Sequence, residues 1–339
     1  MDDVRKLVRI VTVDNILPAA NADRLELAVI GGWQVVVGKG QFAPGDKVVF
    51  AEVDSLIPAD DPKFGFSDGL RSQAKDVDGV CYVRIRTVKL RGNLSQGIVF
   101  PLNNFPELVG VSEDVDIRDL LGIIKYEPVP TGEAHIAGDF DLTVAHKSDS
   151  ERVQNLVKDF DMLRDNYHWA ATEKLDGQSI TVAKTDGELR IFTRNKEVDT
   201  ANHKLFSVHS RDWFERVIPE GWALQGELIG EGIQGNKLKV RGLDYRIFTV
   251  FDHGREVPRA TWLGIPELDD MAVPGLDIDL TGFATAGELI DCVDGMKSAY
   301  NPDVLAEGVV FHEVNGTIVP RLGRSTFKVI SNKFLCKFD

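Results

Sequence analysis

Four short stretches of the chain put an ionisable side chain where an apolar strand would otherwise run: TEKLDG (172–177), LQGELIG (224–230), AEGVVF (306–311) and TFKVI (326–330). A single buried charge without a partner is costly. One such insertion can sit at a strand end. Four, carrying both signs, require that Lys174, Glu227, Glu307 and Lys328 converge on a shared polar pocket. The fold is thereby restricted to one in which separate strands deliver charges to a single place.

The chain has 339 residues, more than one typical core and suited to two domains. Up to about residue 125, the runs VRIVTV, LELAVIGGWQVVVGKG, VVFAEV, CYVRIRTVKL and GIVFPL are short, β-branched and separated by Gly, Pro and Asp turns. That spacing predicts a small closed β-barrel with one short helix near 105–122. Residues 126–145, YEPVPTGEAHIAGDFDLTVA, carry two prolines and two glycines and read as a linker. Ser148 and Glu151 then fit a capping box. Val153, Leu156, Val157, Phe160 and Leu163 follow at helical spacing, predicting a helix. WAATEK, SITVAK, LRIFTR, ALQGELIG, YRIFTVFD, GVVFHEV and FKVI predict mainly antiparallel sheet, with Asp186-Gly187 as a hairpin turn. The expected class is α+β: a barrel over 1–125, a linker over 126–145 and a second domain over 146–339.

Composition removes several alternatives. The chain is 43% hydrophobic and 27% charged, as ordinary globular proteins are. It has no apolar run long enough to span a bilayer, and MDDVRKLVRIVTVDN lacks an apolar signal core, so a cytoplasmic protein is expected. The three cysteines lie far apart without a CxxC pair, which disfavours disulfides and zinc. The seven histidines form no HExxH or Ser-His-Asp pattern. A net charge of −14 argues against binding nucleic acid through bulk charge, yet allows a local basic track and suits divalent metals. No heptad or other assembly signal points to a protein partner.

The KLDG stretch has two readings. Lys174 is either a surface lysine in a β-hairpin turned by Asp176-Gly177, or a nucleophile. The charges downstream favour the second reading. In order, KLDG, TRN, QGELIG, TVFD, EGVVF and FKVI resemble the motifs of covalent nucleotidyltransferases, the polynucleotide ligases and mRNA capping enzymes. A barrel precedes KLDG, and few residues follow Lys328. The arrangement is therefore similar to that of ATP-dependent RNA ligases of clade five, which carry an N-terminal OB domain. ANADRLELAVIGGWQVVVGKG, GDKVVFAEVDSLIP and RIRTVKLRGNLSQGIVFPL resemble that OB module.

The resemblance implies an OB-type barrel followed by a nucleotidyltransferase domain that joins RNA 3′-hydroxyl and 5′-phosphate ends, above all at nicks in duplexes. ATP is the nucleotide and Mg2+ or Mn2+ the metal. The partners are RNA ends, nicked duplexes and RNA–DNA hybrids. Lys174 would carry AMP, and its pKa would have to fall, helped by a metal and by Lys328. Asp176, Glu227 and Glu307 would hold the metal, partly through water. Lys328 would bind the α-phosphate. Gly177 would let the backbone approach the nucleotide, Phe251 would stack on adenine and Asp252 would support the site. Arg194 would contact ribose or the RNA end. Arg152 and Gln154, on the predicted helix, and Lys333, the next lysine after Lys328, are further candidate nucleotide contacts. Arg84 and Arg86, continued by Lys89 and Arg91, and Lys237, Lys239 and Arg241 alternate along predicted strands and would track RNA phosphates. Trp33 and Phe42 are either base-stacking platforms or core. Two other functions remain open at this point: a ligase or adenylyltransferase acting on DNA ends, and a non-catalytic OB-type nucleic-acid binding protein.

Overall fold

The computed structural model describes residues 5–113, 115–127 and 135–338. Contacts divide the chain into two units: Met1–Pro128 with Val153–Lys158 and Leu335–Asp339, and Val129–Arg152 with Asp159–Phe334. Part of the expected linker, 128–134, lies outside the described residues. The rest is not all linker. Ile136–Asp139 pairs with Lys196–Val198, and Phe140, Val144 and Ala145 are buried with Phe192 and Phe251.

The first unit is built from small antiparallel sheets. Lys47–Ala51 runs between Val8–Thr12 and Ile98–Pro101. Asn15–Pro18, Leu25–Ile30 and Trp33–Gly38 form a meander, and Ser55–Pro58 and Val80–Arg84 lie at the centre of a third sheet. Along Trp33–Gly38 burial alternates, so Trp33, Val35 and Val37 face inward, as the period of a strand requires. Trp33 and Phe42 are core residues here, not open platforms for bases. Among the described residues of 105–122 there is no α-helix, although one was expected there. Short 3-10 turns stand at Pro106–Leu108, ended by extended Val109, and at Asp119–Leu121, ended by left-handed Gly122.

A polar knot closes this unit. Glu52, fully buried, accepts hydrogen bonds from Arg5 Nε (2.9 Å), Arg9 Nη2 (2.7 Å) and Asn155 Nδ2 (2.8 Å). Asn155 Oδ1 accepts from Trp33 Nε1 at 2.6 Å. The segment Val153–Lys158 is thus tied to the barrel by side chains that no local pattern relates.

The second unit carries the expected α+β arrangement. Seven antiparallel strands follow the order Ile136–Asp139, Lys196–Val198, Glu188–Phe192, Gln178–Thr185, Trp222–Gly230, Leu243–Asp252, Arg255–Glu256. A second sheet has the order Glu151–Arg152, Thr326–Ile330, Gly308–Glu313, Trp169–Lys174, Gly275–Leu276, with its first pair parallel. Helices such as Arg211–Val217 and Ala286–Val293 flank them. The predicted capping box does not form. Ser148 Oγ pairs with Ser179 Oγ at 3.0 Å, and Glu151–Arg152 joins the second sheet. Val153–Asp159 is a 3-10 helix that runs into an α-helix over Phe160–Asn166. The apolar spacing still marked the buried side: Val153, Leu156, Phe160 and Leu163 are all inside, while Val157 is exposed.

Replacing Glu52 by Ala takes the shared carboxylate from Arg5, Arg9 and Asn155 and leaves Arg5 its pairing with Asp54. It should destabilise the first unit by about 3–5 kcal/mol, read as a lower urea midpoint. A shift below about 1 kcal/mol would show that the knot contributes little.

Candidate active site

The strand Trp169–Lys174 belongs to the second sheet, and the strand Gln178–Thr185 to the first. Leu175-Asp176-Gly177 is therefore not a hairpin. It is the crossover where the chain leaves one sheet and enters the other, and Lys174 stands at its lip. Pairing does the rest. Lys174 lies opposite Gly308, so the preceding residue, Glu307, comes alongside. Ser179 lies opposite Glu227, which brings that carboxylate to the same crossover.

Lys174 Nζ donates to Glu307 Oε2 at 2.7 Å. Burial alone would lower the pKa of this amine, but the charges of Glu307, Glu227 and Asp176 outweigh burial and hold it above its ordinary value. Lys174 thus rests as an ammonium. Lys328, expected to help lower the Lys174 pKa, has its Nζ 3.9 Å from Asp149 Oδ1. Glu227 is pushed up to about 8, chiefly by burial. Lys174 opposes the rise, and Glu307 and Asp176 add to it. A carboxyl so raised is poised to bind a cation that restores its charge.

Lys328 projects from the strand next to Gly308–Glu313, opposite Val310, which is itself opposite Thr172. By strand alternation Lys174 and Lys328 share a face. Asp149, which sequence reasoning passed over, also forms an ion pair with Arg194, so one carboxylate links the two basic candidates. Arg152 pairs in register with Lys328, but on a two-residue strand and not a helix. Gln154, in the other unit, is buried and far from open solvent.

Other candidates move away from the site. Phe251 is 2% exposed and packs into a core with Phe140, Phe192 and Ala223, so no ring face is open for adenine. Asp252 ends its strand opposite Trp222 and accepts from exposed His253. Lys333 is exposed and pairs with Asp294. Arg84 forms an ion pair with Asp54 and stacks on Tyr126, and Arg86 follows it outside the strand; both side chains are half-buried. Lys237, Lys239 and Arg241 form no strand face. They sit in the loop between Trp222–Gly230 and Leu243–Asp252. Lys239 and Arg241 point outward, whereas Lys237 Nζ donates to Asp176 Oδ1 at 2.9 Å.

A second residue was missed for a physical reason. The ladder between Trp222–Gly230 and Leu243–Asp252 slips by one between Gln225 and Gly226, leaving Phe248 as the extra, bulged residue. Phe248 is half-buried against a cluster containing Leu175, the neighbour of Lys174. A bulge re-aims a side chain, and a period-two reading does not see it.

Comparison with known proteins fits this geometry. An OB-fold domain family matches residues 7–102, and an RNA ligase family matches residues 167–330. Solved structures of an RNA ligase from Naegleria gruberi superpose at 34% identity. One is an apo mutant, with TM-score 0.86 and 98% of both chains covered. Another is a mutant with ATP and Mn, also at 0.86 over 98% of both chains. A mutant with AMP and Mn gives 0.85 over 98% of this chain and 99% of that one. The chain belongs to the RNA ligases. Its barrel is the OB domain and its second unit the ligase domain of that family. Comparison with curated protein sequences gave no match. No helix among the described residues is long and apolar enough to cross a membrane.

The donor set suits a hard divalent ion. Asp176 Oδ2 is buried without a hydrogen-bond partner. Among the described residues no three His, Cys, Asp or Glu side chains close around a point for direct chelation. Carboxylates that reach an ion in part through its own waters match Mg2+ or Mn2+.

Gly177 fits for a reason other than nucleotide approach. A Cβ there would meet Leu228 O at 2.4 Å, Ile229 Cγ2 at 2.7 Å and Glu227 Cγ at 3.0 Å. Gly177→Ala should therefore push the crossover off its neighbouring strand, cost about 1–3 kcal/mol and displace Glu227. Thermal melting and nucleotide transfer should fall together in this RNA ligase; an unchanged melting temperature would contradict the close packing.

Proposed function

We propose that this RNA ligase uses ATP and Mg2+ or Mn2+ to seal 3′-hydroxyl/5′-phosphate breaks in RNA, with nicks in duplexes as its main substrate. In the first step Lys174 Nζ, once deprotonated, attacks the α-phosphorus of ATP; a P–N bond forms and pyrophosphate leaves. The AMP then passes to an RNA 5′-phosphate, freeing the lysine. Finally the 3′-hydroxyl attacks that activated phosphate and AMP departs. Covalent relay divides one hard displacement into easier ones.

The observation that carries this reading is the 2.7 Å contact of Lys174 with Glu307 at the sheet crossover, with Glu227 and Asp176 acting on the same amine. When bound, the divalent ion supplies positive charge that offsets these carboxylates and the phosphates. Asp176, Glu227 and Glu307 would hold it, partly through its waters. Lys328 meets the α-phosphate as a point charge. Arg194, linked to it through Asp149, contacts ribose or the RNA end. Phe248 takes the adenine-stacking role first assigned to Phe251, because its ring is partly open beside Leu175. In the OB domain, Lys89 and Arg91 at the exposed end of the hairpin Thr87–Leu90/Asn93–Gln96, with Arg86 before it, contact RNA phosphates.

Incubation with ATP labelled at its α-phosphate should leave label on the denatured wild-type protein. None should remain on Lys174→Ala or after chelation of the metal. Label elsewhere in the Lys174→Ala chain would sink the assignment. Phe248→Ala should raise the ATP concentration for half-maximal labelling about tenfold, the value of one aromatic contact, while Phe251→Ala should act on stability. Ligation of nicks bearing RNA or DNA at the 3′-hydroxyl side separates this reading from a DNA-end ligase: RNA there should be preferred.

A further inference from the structure

Lys237 is held with unusual care for a loop lysine. Its loop carries left-handed φ at three residues other than glycine, Gln234, Asn236 and Lys239. Such backbone persists only where the surroundings fix it. They do so on both sides of Lys237. Asn236 clasps Val240 twice, its Oδ1 accepting from the backbone N–H at 2.9 Å and its Nδ2 donating to the carbonyl at 2.8 Å. Leu238 is buried against Leu175 and Ile229, and its carbonyl accepts from Asn301 Nδ2 at 2.8 Å. With residues 236 and 238 fixed, only the lysine stem is free to move. Its ammonium lies 2.9 Å from Asp176 Oδ1 and 5.4 Å from the centre of the Phe334 ring. Its charge also acts on Glu307.

We propose that Lys237 is a tethered substitute for the divalent cation: it neutralises Asp176 while the site is without metal, and an incoming ion must expel it. This rests on the reading of Asp176 as a metal-site carboxylate given above. The two cations compete for one acid. A divalent ion at Asp176 would repel an ammonium held at hydrogen-bond distance from the same carboxylate. The flexible four-carbon stem lets the ammonium retreat while keeping the Phe334 ring that it already faces. Lys237 is thus a positioning residue that sets how much metal the RNA ligase needs. Its rigid loop keeps the competitor at hand beside Asp176, which Lys174 would otherwise serve together with Glu227 and Glu307.

The test is Mn2+ binding to the full-length protein without nucleotide, followed by electron paramagnetic resonance of the free ion. Lys237→Met keeps the apolar stem and removes the charge. It should bind Mn2+ about tenfold more tightly than wild type, an effect of one nearby like charge, and should reach half-maximal labelling at correspondingly lower Mn2+. Lys237→Arg, which keeps the charge, should stay within about twofold of wild type and guards against a mere folding effect. Unchanged or weaker binding by Lys237→Met overturns the proposal. Asp176→Asn distinguishes the two failures. If it weakens binding while Lys237→Met does not tighten it, the competition is wrong and the metal site stands. If Asp176→Asn has no effect, the metal-site reading falls and the proposal with it.

Discussion

The ligase domain depends on one arrangement: an ammonium and three carboxylates gathered where the chain passes between two sheets. Neither sheet could hold them alone. A buried ion pair brings little net stability, because desolvation offsets most of the Coulomb attraction. The arrangement survives because it is delivered by well-packed strands on both sides, with Val309, Phe311, Phe327 and Val329 in one sheet and Ile180, Val182, Leu224 and Leu228 in the other all buried. Hydrophobic burial supports a cluster that would not assemble for its own sake.

This division of labour also explains the resting state of Lys174. The carboxylates that would hold a metal also keep the amine charged, so under the proposed mechanism it stays protonated until a cation offsets them. The pKa of Lys174 in such a mechanism would depend on what is bound as well as on the pocket itself. The sequence-based expectation of a lowered Lys174 pKa counted on a bound metal as well as on Lys328, and Lys328 Nζ lies 3.9 Å from Asp149 Oδ1.

Much of the fold could be read from the residues. Charges lodged in apolar strands led to Lys174, Glu227 and Glu307, since strand position and burial are both local signals. The barrel followed from turn spacing. The failures have a common cause in long-range partners. Ser148 and Glu151 satisfied a local helix rule, but Ser179 and the strand Thr326–Ile330 offered them better partners. Lys237, Lys239 and Arg241 alternate in sequence, yet left-handed residues fold them into a loop that sends one inward and two outward. Asp149 carries no sequence signal, because its role exists only once Lys328, from a strand, and Arg194, from the turn between Glu188–Phe192 and Lys196–Val198, approach it.

The extra residue at Phe248 also limits how its strand can vary. Tyr245 and Ile247 face the same core as Val250, although an unbroken strand would turn Val250 to the opposite side; Phe248 and Phe251 pack in different clusters. The insertion reverses the odd–even parity of every position after it. Deleting one residue between Ile247 and Val250 would remove the bulge and leave the downstream half of the strand on its present faces, but Phe248 would lose its separate aim. The extra residue thus sets where Phe248 points, while the faces beyond it do not depend on its presence.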